Sequence, residues 1–171
     1  MGADRLHLDA LYLLLEGIRA ADPYEAVKKS LSIRGSSLLV RGLELGIEGD
    51  LYLIAFGKAS YGMARAAMEI LGDRVRGGVV SIPRGLEVRE RLEGVDVVEG
   101  GHPRPDEGSL RAGRAALEVA ERAGEGDLVL VLISGGGSAL LECPVEGVSL
   151  EEISETSIAY KASQPSKINR L

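Results

Sequence analysis

Apolar residues recur at helical spacing over the first part of the chain. The positions that carry this pattern are Leu6, Leu8, Leu11, Leu14, Leu15 and Ile18. Their spacing predicts an amphipathic helix. Asp22 and Pro23 then end this helix and begin a second one, PYEAVKKSL, because proline fits the first turn of a helix but disrupts its interior. The chain is therefore predicted to start with two amphipathic helices.

Short apolar runs alternate with helical patterns over the rest of the chain. The runs predicted to be strands are SSLLVRG (36–42), DLYLIAFG (50–57), GGVVSIP (77–83), VDVVEGG (95–101) and DLVLVLIS (127–134). One predicted helix follows the second run and ends at Gly72. Another begins at Pro105 and Asp106, and we expect its residues Leu110, Ala116, Leu117 and Ala120 to face a sheet.

Continuously apolar strands that alternate with helices are typical of parallel sheets covered on both sides. The last predicted strand is apolar throughout, so we expect it to be buried on both faces. The sequence thus predicts an α/β fold with a doubly wound, mostly parallel sheet and helices on both faces. Such a fold is a Rossmann-like three-layer sandwich, here preceded by the two N-terminal helices.

Composition narrows the class of protein. Of the 171 residues, 45% are apolar and 27% are charged, which is typical of a folded globular chain. The net charge of −6, without a basic tract or any Trp, argues against nucleic acid or an anionic membrane as a partner. We find neither a basic leader nor an uninterrupted apolar span at the N-terminus. The one cysteine, Cys143, fits a reducing compartment, so we expect a cytoplasmic protein with a buried thiol.

A glycine-rich loop follows the last predicted strand. Its residues are Ser134, Gly135, Gly136, Gly137 and Ser138. Glycines let backbone N–H groups approach a ligand closely, and the helix start expected in the following ALLE segment would add free donors. The loop therefore predicts a site for a phosphate or carboxylate group. The alternative is a tight strand-to-helix turn, for which one glycine would suffice.

Three common motifs do not fit this chain. A Walker loop needs glycine where the chain has Tyr52, and serine or threonine where it has Ala59. A dinucleotide fingerprint needs a third glycine where Leu140 stands. A serine-hydrolase elbow needs glycine two residues after Ser138, which is again Leu140. The sequence thus offers no support for a nicotinamide cofactor or for acyl-enzyme chemistry.

Lys58 is the only lysine between residues 30 and 160, where all the other basic residues are arginines. It lies where the apolar strand LYLIAFG passes into a helix. An ammonium group at this position could stabilise negative charge on a phosphoryl group. The alternative is a solvated lysine in a loop.

The segment EGGHPRPDEGS, residues 99–109, contains His102 just before a predicted helix. Contact with a ligand and anchoring of the loop are equally plausible roles for this histidine. Asp106 is first a candidate N-cap of the helix and only second a ligand of a metal or substrate. Farther along, SLEE at residues 149–152 fits a capping box and predicts the start of another helix.

Three segments together resemble the N-terminal domain of the glycerate 2-kinase family. They are LYLIAFGKAS, VVEGGHPRPDEGSLRAGRAALEVAE and DLVLVLISGGGSALLECPVEGVSLEE. The most specific elements are GKA, GHP followed by PDE, and SGGGSALL, in this order. The resemblance covers roughly residues 5–155. Members of this family have often been labelled hydroxypyruvate reductases, although the missing dinucleotide fingerprint speaks against that activity.

The resemblance implies ATP-dependent phosphorylation of D-glycerate at its 2-hydroxyl, with ATP and a divalent metal such as Mg²⁺ in a cleft between two domains. Lys58 would be the catalytic lysine that stabilises the phosphoryl group or holds the substrate carboxylate. The Ser134 to Ser138 loop, and His102, would contact substrate or nucleotide. We assign no metal ligand.

The composition changes after Glu155. Thr156, Gln164 and Asn169 are the only residues of their types, and residues 156–171 carry a charge of +3 against −9 for residues 1–155. We therefore expect a glycerate-kinase-like domain over residues 1–155 and an aberrant tail over 156–171, left by a frameshift or truncation that removed the second kinase domain. A divergent tail on a single-domain relative is the alternative.

These expectations leave three functional hypotheses. The first is a glycerate 2-kinase by descent that has little activity as this fragment. The second is a non-catalytic anion-binding fragment or subunit, which could associate with itself through the apolar face left by the missing domain. The third and least favoured hypothesis is a hydroxypyruvate reductase.

Overall fold

The structure is a computed structural model, and it describes residues 2–163. The two predicted N-terminal helices are present as α1 (Gly2–Ala20) and α2 (Pro23–Ser30). The carboxylate of Asp22 caps α2, since it accepts hydrogen bonds from the N–H groups of Tyr24 and Glu25 at 2.8 and 3.3 Å. The leucines of α1 are exposed, so this helix does not pack its apolar residues against the described chain.

A small antiparallel sheet follows α2. Its strands are β1 (Leu31–Arg34), β2 (Ser37–Val40) and β3 (Leu43–Gly46). Only β2 was predicted, because it has three consecutive apolar residues, whereas β1 and β3 have two apolar residues each, separated by a polar one. Arg41 and Gly42 both have positive φ, +48° and +89°, which is the geometry of the two-residue turns that close tight hairpins.

The main sheet has four parallel strands in the order β6-β5-β4-β7. The elements that build it along the chain are β4 (Leu51–Phe56), α3 (Ser60–Leu71), a short 3-10 turn (Gly72–Arg74), β5 (Val75–Pro83), β6 (Val95–Gly100), α4 (Glu107–Arg122) and β7 (Leu128–Ile133). The strand β4 is central and almost wholly buried.

Helices cover both faces of this sheet. The helix α3 packs on the face that contains Leu53 and Ala55, and α4 packs on the face that contains Tyr52 and Ile54. The predicted doubly wound α/β fold is thus confirmed. The predicted sheet-facing residues of α4 are partly wrong. Ala116 is buried, whereas Leu117 is 47% exposed and Ala120 is also exposed, because the sheet-facing side of α4 follows the helical spacing Ala112, Ala116, Val119.

The prediction that β7 is buried on both faces is wrong for this chain. Val131 and Ile133 are 46% and 62% exposed. The strand β7 lies at the edge of the sheet with β4 as its only described neighbour, and α4 packs over β4, β5 and β6 instead. One face of β7 therefore carries an uncovered apolar surface.

The last described elements are a single helical turn, α5 (Gly137–Leu140), and the helix α6 (Leu150–Ser163). The predicted capping box is present, since Ser149 Oγ accepts from the N–H of Glu152 at 3.2 Å and Glu152 Oε2 accepts from the N–H of Ser149 at 2.8 Å. Cys143 is exposed in the loop between these helices, so the expectation of a buried thiol is wrong. No helix within residues 2–163 is long and apolar enough to cross a membrane.

The predicted tail after residue 155 is only partly described. The helix α6 runs through Thr156 to Ser163, and residues 164–171 lie outside the described residues. The proposed boundary at residue 155 stays a prediction.

Candidate functional site

The direction of the strand order reverses between β4 and β7. The strands β5 and β6 continue from β4 on one side, whereas β7 lies on the other. In open α/β sheets, ligands bind beyond the carboxyl ends of the strands at such a reversal. Phe56 and Ile133 are paired at the ends of the two strands, so the turn at Gly57 and the glycine loop leave the sheet side by side at this point.

Three hydrogen bonds join this turn to the loop. The N–H of Ser134 donates to the carbonyl of Phe56 at 3.0 Å, and the N–H of Lys58 donates to the carbonyl of Gly135 at 2.9 Å. The N–H of Ala59 donates to Ser134 Oγ at 3.0 Å. This last bond uses a lone pair of the hydroxyl oxygen and leaves its proton free to be donated. The lysine and the glycine loop therefore form one connected unit.

Gly57, which is not among the predicted site residues, makes this contact possible. Its φ is +117°, and a Cβ atom there would lie 2.2 Å from Ser134 Oγ and 2.5 Å from the carbonyl oxygen of Ser134. Only glycine fits such a conformation and such a close approach. The signal in the sequence was its position between an apolar strand and Lys58.

The three glycines of the loop differ in whether the structure requires glycine at their positions. Gly136 has a φ of +89°, and a Cβ atom there would lie 2.8 Å from His102 Nε2 and 3.2 Å from Lys58 Cγ. At Gly137 a Cβ atom would lie 2.7 Å from the ring of Phe56. At Gly135 the nearest atom would be Lys58 Cε, at an ordinary 3.9 Å. The turn itself thus requires Gly136, and packing requires Gly137.

The structure brings the predicted site residues together. His102 lies in the connection between β6 and α4, and the side chains of His102 and Lys58 flank Gly136. Lys58, His102, Gly135 and Ser138 are exposed, while Ser134 and Gly136 are half-buried. None of the residues whose side chains are described forms an ion pair with Lys58. An accessible ammonium group therefore stands beside the loop.

Backbone donors are available in the loop. Within the described chain, the N–H groups of Gly135 and Gly136 donate to no acceptor. The helix start expected in ALLE is only the four-residue turn α5, after which Leu141 is extended. A helix dipole therefore contributes little here, since the dipole grows from aligned peptide units. The attraction for an anion rests on individual N–H groups and on Lys58.

Asp106 caps α4, as the first of its two predicted roles requires. Asp106 Oδ1 accepts from the N–H groups of Gly101, Gly108 and Ser109 at 2.9, 2.8 and 3.2 Å, and Oδ2 accepts from Arg84 Nη2 at 2.5 Å. Partial burial by itself raises the pKa of this carboxyl. The hydrogen bonds from Arg84 and from the three N–H groups outweigh burial and hold the pKa below its usual value. Asp106 thus fixes the end of the loop that contains His102.

The described side chains do not fit a Mg²⁺ ion held by the protein alone. Among residues 4–160, no group of three or more His, Cys, Asp or Glu side chains is placed to bind a metal. Asp106 is engaged in the cap, and Glu99 Oε2 accepts from the N–H of Gly85 at 3.3 Å. The chemistry of the site is that of cationic and neutral donors, which suits a carboxylate or a phosphate group.

Comparison with known proteins identifies the family of this chain. Residues 9–165 match the family described as a domain of unknown function, DUF4147. The chain belongs to this family. The glycerate 2-kinase of Pyrococcus horikoshii is 45% identical over 147 residues, which cover 86% of this chain and 32% of that protein. The predicted resemblance to glycerate kinases is confirmed.

Two solved structures share the fold. A protein from Pyrococcus horikoshii superposes with a TM-score of 0.82 at 42% identity, over 94% of this chain and 36% of its own. The glycerate kinase of Thermotoga maritima superposes with a TM-score of 0.76 at 36% identity, over 95% of this chain and 36% of its own. The chain thus spans about a third of the length of the relatives that it matches.

Proposed function

We propose that this chain provides one side of a D-glycerate 2-kinase site and binds an anionic group of glycerate or ATP between Lys58 and the glycine loop. The observation that carries the proposal is the hydrogen-bonded contact between the Lys58 turn and the loop at the reversal of strand order. The family membership supports the choice of reaction, because matching relatives are named glycerate kinases.

In the proposed reaction, the terminal phosphoryl group of ATP passes to the 2-hydroxyl of D-glycerate. Such reactions depend mostly on positioning and on charge stabilisation. Lys58 would offset negative charge on the phosphoryl group or on the substrate carboxylate. The N–H groups of Gly135 and Gly136, with the hydroxyls of Ser134 and Ser138, would orient the same anion. His102, whose ring lies beside Gly136, would also contact it.

ATP and Mg²⁺ belong to this proposal. The donors around Gly136 suit an anionic oxygen of ATP as well as they suit the carboxylate of glycerate. The described side chains supply no ligand set for Mg²⁺, so we assign it no protein ligand and no step.

We expect little turnover from the chain alone. All the candidate donors lie at the carboxyl ends of the strands of one sheet. Phosphoryl transfer needs both reactants held in line. The test is a coupled assay with ATP, Mg²⁺ and D-glycerate alongside isothermal titration calorimetry with D-glycerate. Weak binding with little turnover supports the proposal, and normal turnover contradicts the one-sided site.

The variant Lys58→Ala, compared with Lys29→Ala, tests the residue assignment. Both substitutions remove an exposed lysine. Only Lys58→Ala should weaken binding of D-glycerate, by about ten-fold or more if it removes a charge-assisted hydrogen bond. Equal affinities of the two variants would contradict the role of Lys58.

A non-catalytic anion-binding subunit is the second candidate function. The observation that favours it is the uncovered apolar face of β7, where Val131 and Ile133 are exposed. An apolar strand at a sheet edge is a common site of association. We infer that the chain associates with itself through this face, and sedimentation of the chain and of its Ile133→Lys variant tests this.

A hydroxypyruvate reductase is the least favoured function. The glycine loop has Leu140 where the dinucleotide fingerprint requires its third glycine. The expected result is no oxidation of a nicotinamide cofactor with hydroxypyruvate. We also propose a cytoplasmic location, in keeping with the single and exposed Cys143.

A further inference from the structure

Two fully buried serines form a chain of hydrogen bonds beneath the candidate site. Ser60 is the first residue of α3, two residues after Lys58, and Ser81 lies near the carboxyl end of β5; both side chains are 0% exposed. Ser60 Oγ donates to the carbonyl of Ser81 at 2.6 Å. Ser81 Oγ donates to the carbonyl of Leu140, the last residue of α5. The chain of bonds thus connects the start of α3, through β5, to the end of α5, the helical turn that begins in the glycine loop at Gly137.

A hydroxyl at position 81 is unexpected from packing alone. Its neighbours along β5 are Val79, Val80 and Ile82, all of them buried and apolar. Ser81 shares with Val79 the face of the sheet on which α4 packs, because alternate side chains of a strand point to the same face. A hydroxyl buried there costs free energy unless it is hydrogen-bonded. The hydroxyl of Ser81 donates to the carbonyl of Leu140, which lies outside the sheet.

Hydrogen bonds hold the glycine loop and the helical turn α5 at two points, and the bond from Ser81 is the second of them. The first part of the loop is held by the bonds that join Ser134 and Gly135 to the turn around Lys58. The helical turn α5, which begins inside the loop at Gly137, is held at its last residue, Leu140, by Ser81. Between these two held points lies Gly136, whose N–H donates to no acceptor in the described chain.

We propose that Ser81 is a positioning residue that holds the glycine loop in register with Lys58 without touching the ligand. The contribution to ligand binding rests on the function proposed above, but the effect on the loop does not. No sequence motif points to Ser81, since its segment VVSIP matches no pattern of a binding site. Ser60 supports the same arrangement by holding the backbone of Ser81.

The experiment compares Ser81→Ala with Val75→Ala, a substitution at the opposite end of the same strand. Val75 is 8% exposed and belongs to the apolar core, so its truncation destabilises the domain without touching the loop. Ser81→Cys is the conservative variant, because a thiol of similar size still donates a hydrogen bond, although only weakly.

The first readout is amide hydrogen exchange of the ligand-free chain. The amides of Lys58 and Leu141 report on the loop, because they donate to the carbonyls of Gly135 and Gly137. In Ser81→Ala their exchange should accelerate by about ten-fold more than in Val75→Ala, the factor expected for one buried hydrogen bond. Ser81→Cys should fall between Ser81→Ala and the unaltered chain. The same acceleration in Ser81→Ala and Val75→Ala would overturn the inference.

The second readout is the dissociation constant of D-glycerate from calorimetry, with inorganic phosphate as a second probe. Ser81→Ala should weaken binding by about five-fold, whereas Val75→Ala should leave it unchanged. If the unaltered chain binds neither probe, the proposed function fails while hydrogen exchange still decides the role of Ser81. If the chain binds but Ser81→Ala binds equally well with an unchanged loop, the inference fails and the proposed function stands.

Discussion

The contact between the Lys58 turn and the glycine loop depends most strongly on Gly57, which makes Gly57→Ala the sharpest structural test. A Cβ atom at this position would lie 2.2, 2.5 and 2.7 Å from the Oγ, carbonyl oxygen and carbonyl carbon of Ser134. Two of these atoms belong to the backbone, so rotation of a side chain does not relieve the contact. The ends of β4 and β7 must separate, which breaks the bonds from Lys58 to Gly135 and from Ala59 to Ser134.

The expected loss of stability in Gly57→Ala is the sum of backbone strain and the two broken hydrogen bonds. A non-glycine residue at a φ of +117° costs roughly 1–3 kcal/mol in backbone strain. Each of the two broken hydrogen bonds costs about 1 kcal/mol. The free energy of unfolding should therefore fall by roughly 4 kcal/mol, a large part of the 5–15 kcal/mol that is usual for a domain. Urea denaturation followed by far-ultraviolet circular dichroism measures this change.

Gly135→Ala is the matched control, since it adds the same methyl group on the other side of the contact. Its Cβ would meet only Lys58 Cε at 3.9 Å, and its φ is not positive. We expect the free energy of unfolding to change by less than about 0.5 kcal/mol. A loss below about 1 kcal/mol in Gly57→Ala, or equal losses in the two variants, would refute the proposed interlocking of the two turns.

Three further predictions concern separate features. Gly136→Ala should reduce the free energy of unfolding by about 1–2 kcal/mol, because its φ of +89° is left-handed, and it should shift the NMR signals of the His102 ring. Asp106 has a lowered pKa in the folded state, so its stabilisation is present above about pH 4, the usual pKa of the unfolded chain, and is lost as the pH falls through the folded value. Asp106→Asn should lower the melting temperature at pH 7 and reduce its dependence on pH in the acid range. Ile133→Lys should lower the sedimentation coefficient if β7 mediates association, and an unchanged coefficient contradicts that role.

Much of the main domain could be predicted from the sequence. Continuous apolar runs such as residues 51–56 identify buried parallel strands, and Asp106 marks the start of α4 through its side-chain chemistry. These features depend on residues close together in the chain. The same local information placed Lys58 and the glycine loop at the ends of their strands.

The order of the strands could not be predicted in this way. The run LVLVLI is as apolar as LYLIAF, yet β7 lies at the edge and β4 in the centre. Apolar composition records what a strand tolerates, whereas exposure depends on which elements pack beside it. The prediction that β7 is buried on both faces failed for this reason.

Local sequence patterns also could not predict the tertiary contacts that support the site. Ser81 and Leu140 are 59 residues apart in the sequence, and Gly57 meets Ser134 only because β4 and β7 are neighbours. Serine and glycine occur in many loops for other reasons, so neither residue type identifies these roles alone. The tertiary contacts distinguish Gly136 and Gly137, which the geometry requires, from Gly135, which it does not.

We propose above that an anionic substrate binds between Lys58 and the glycine loop. The most direct measurement is a titration of the ¹⁵N-labelled chain with D-glycerate, followed by two-dimensional NMR. We expect saturable shifts of the amides of Lys58 and of Gly135 to Ser138, and the loss of these shifts in Lys58→Ala. Saturable shifts confined to other surfaces, or none in the loop at millimolar D-glycerate, would contradict it.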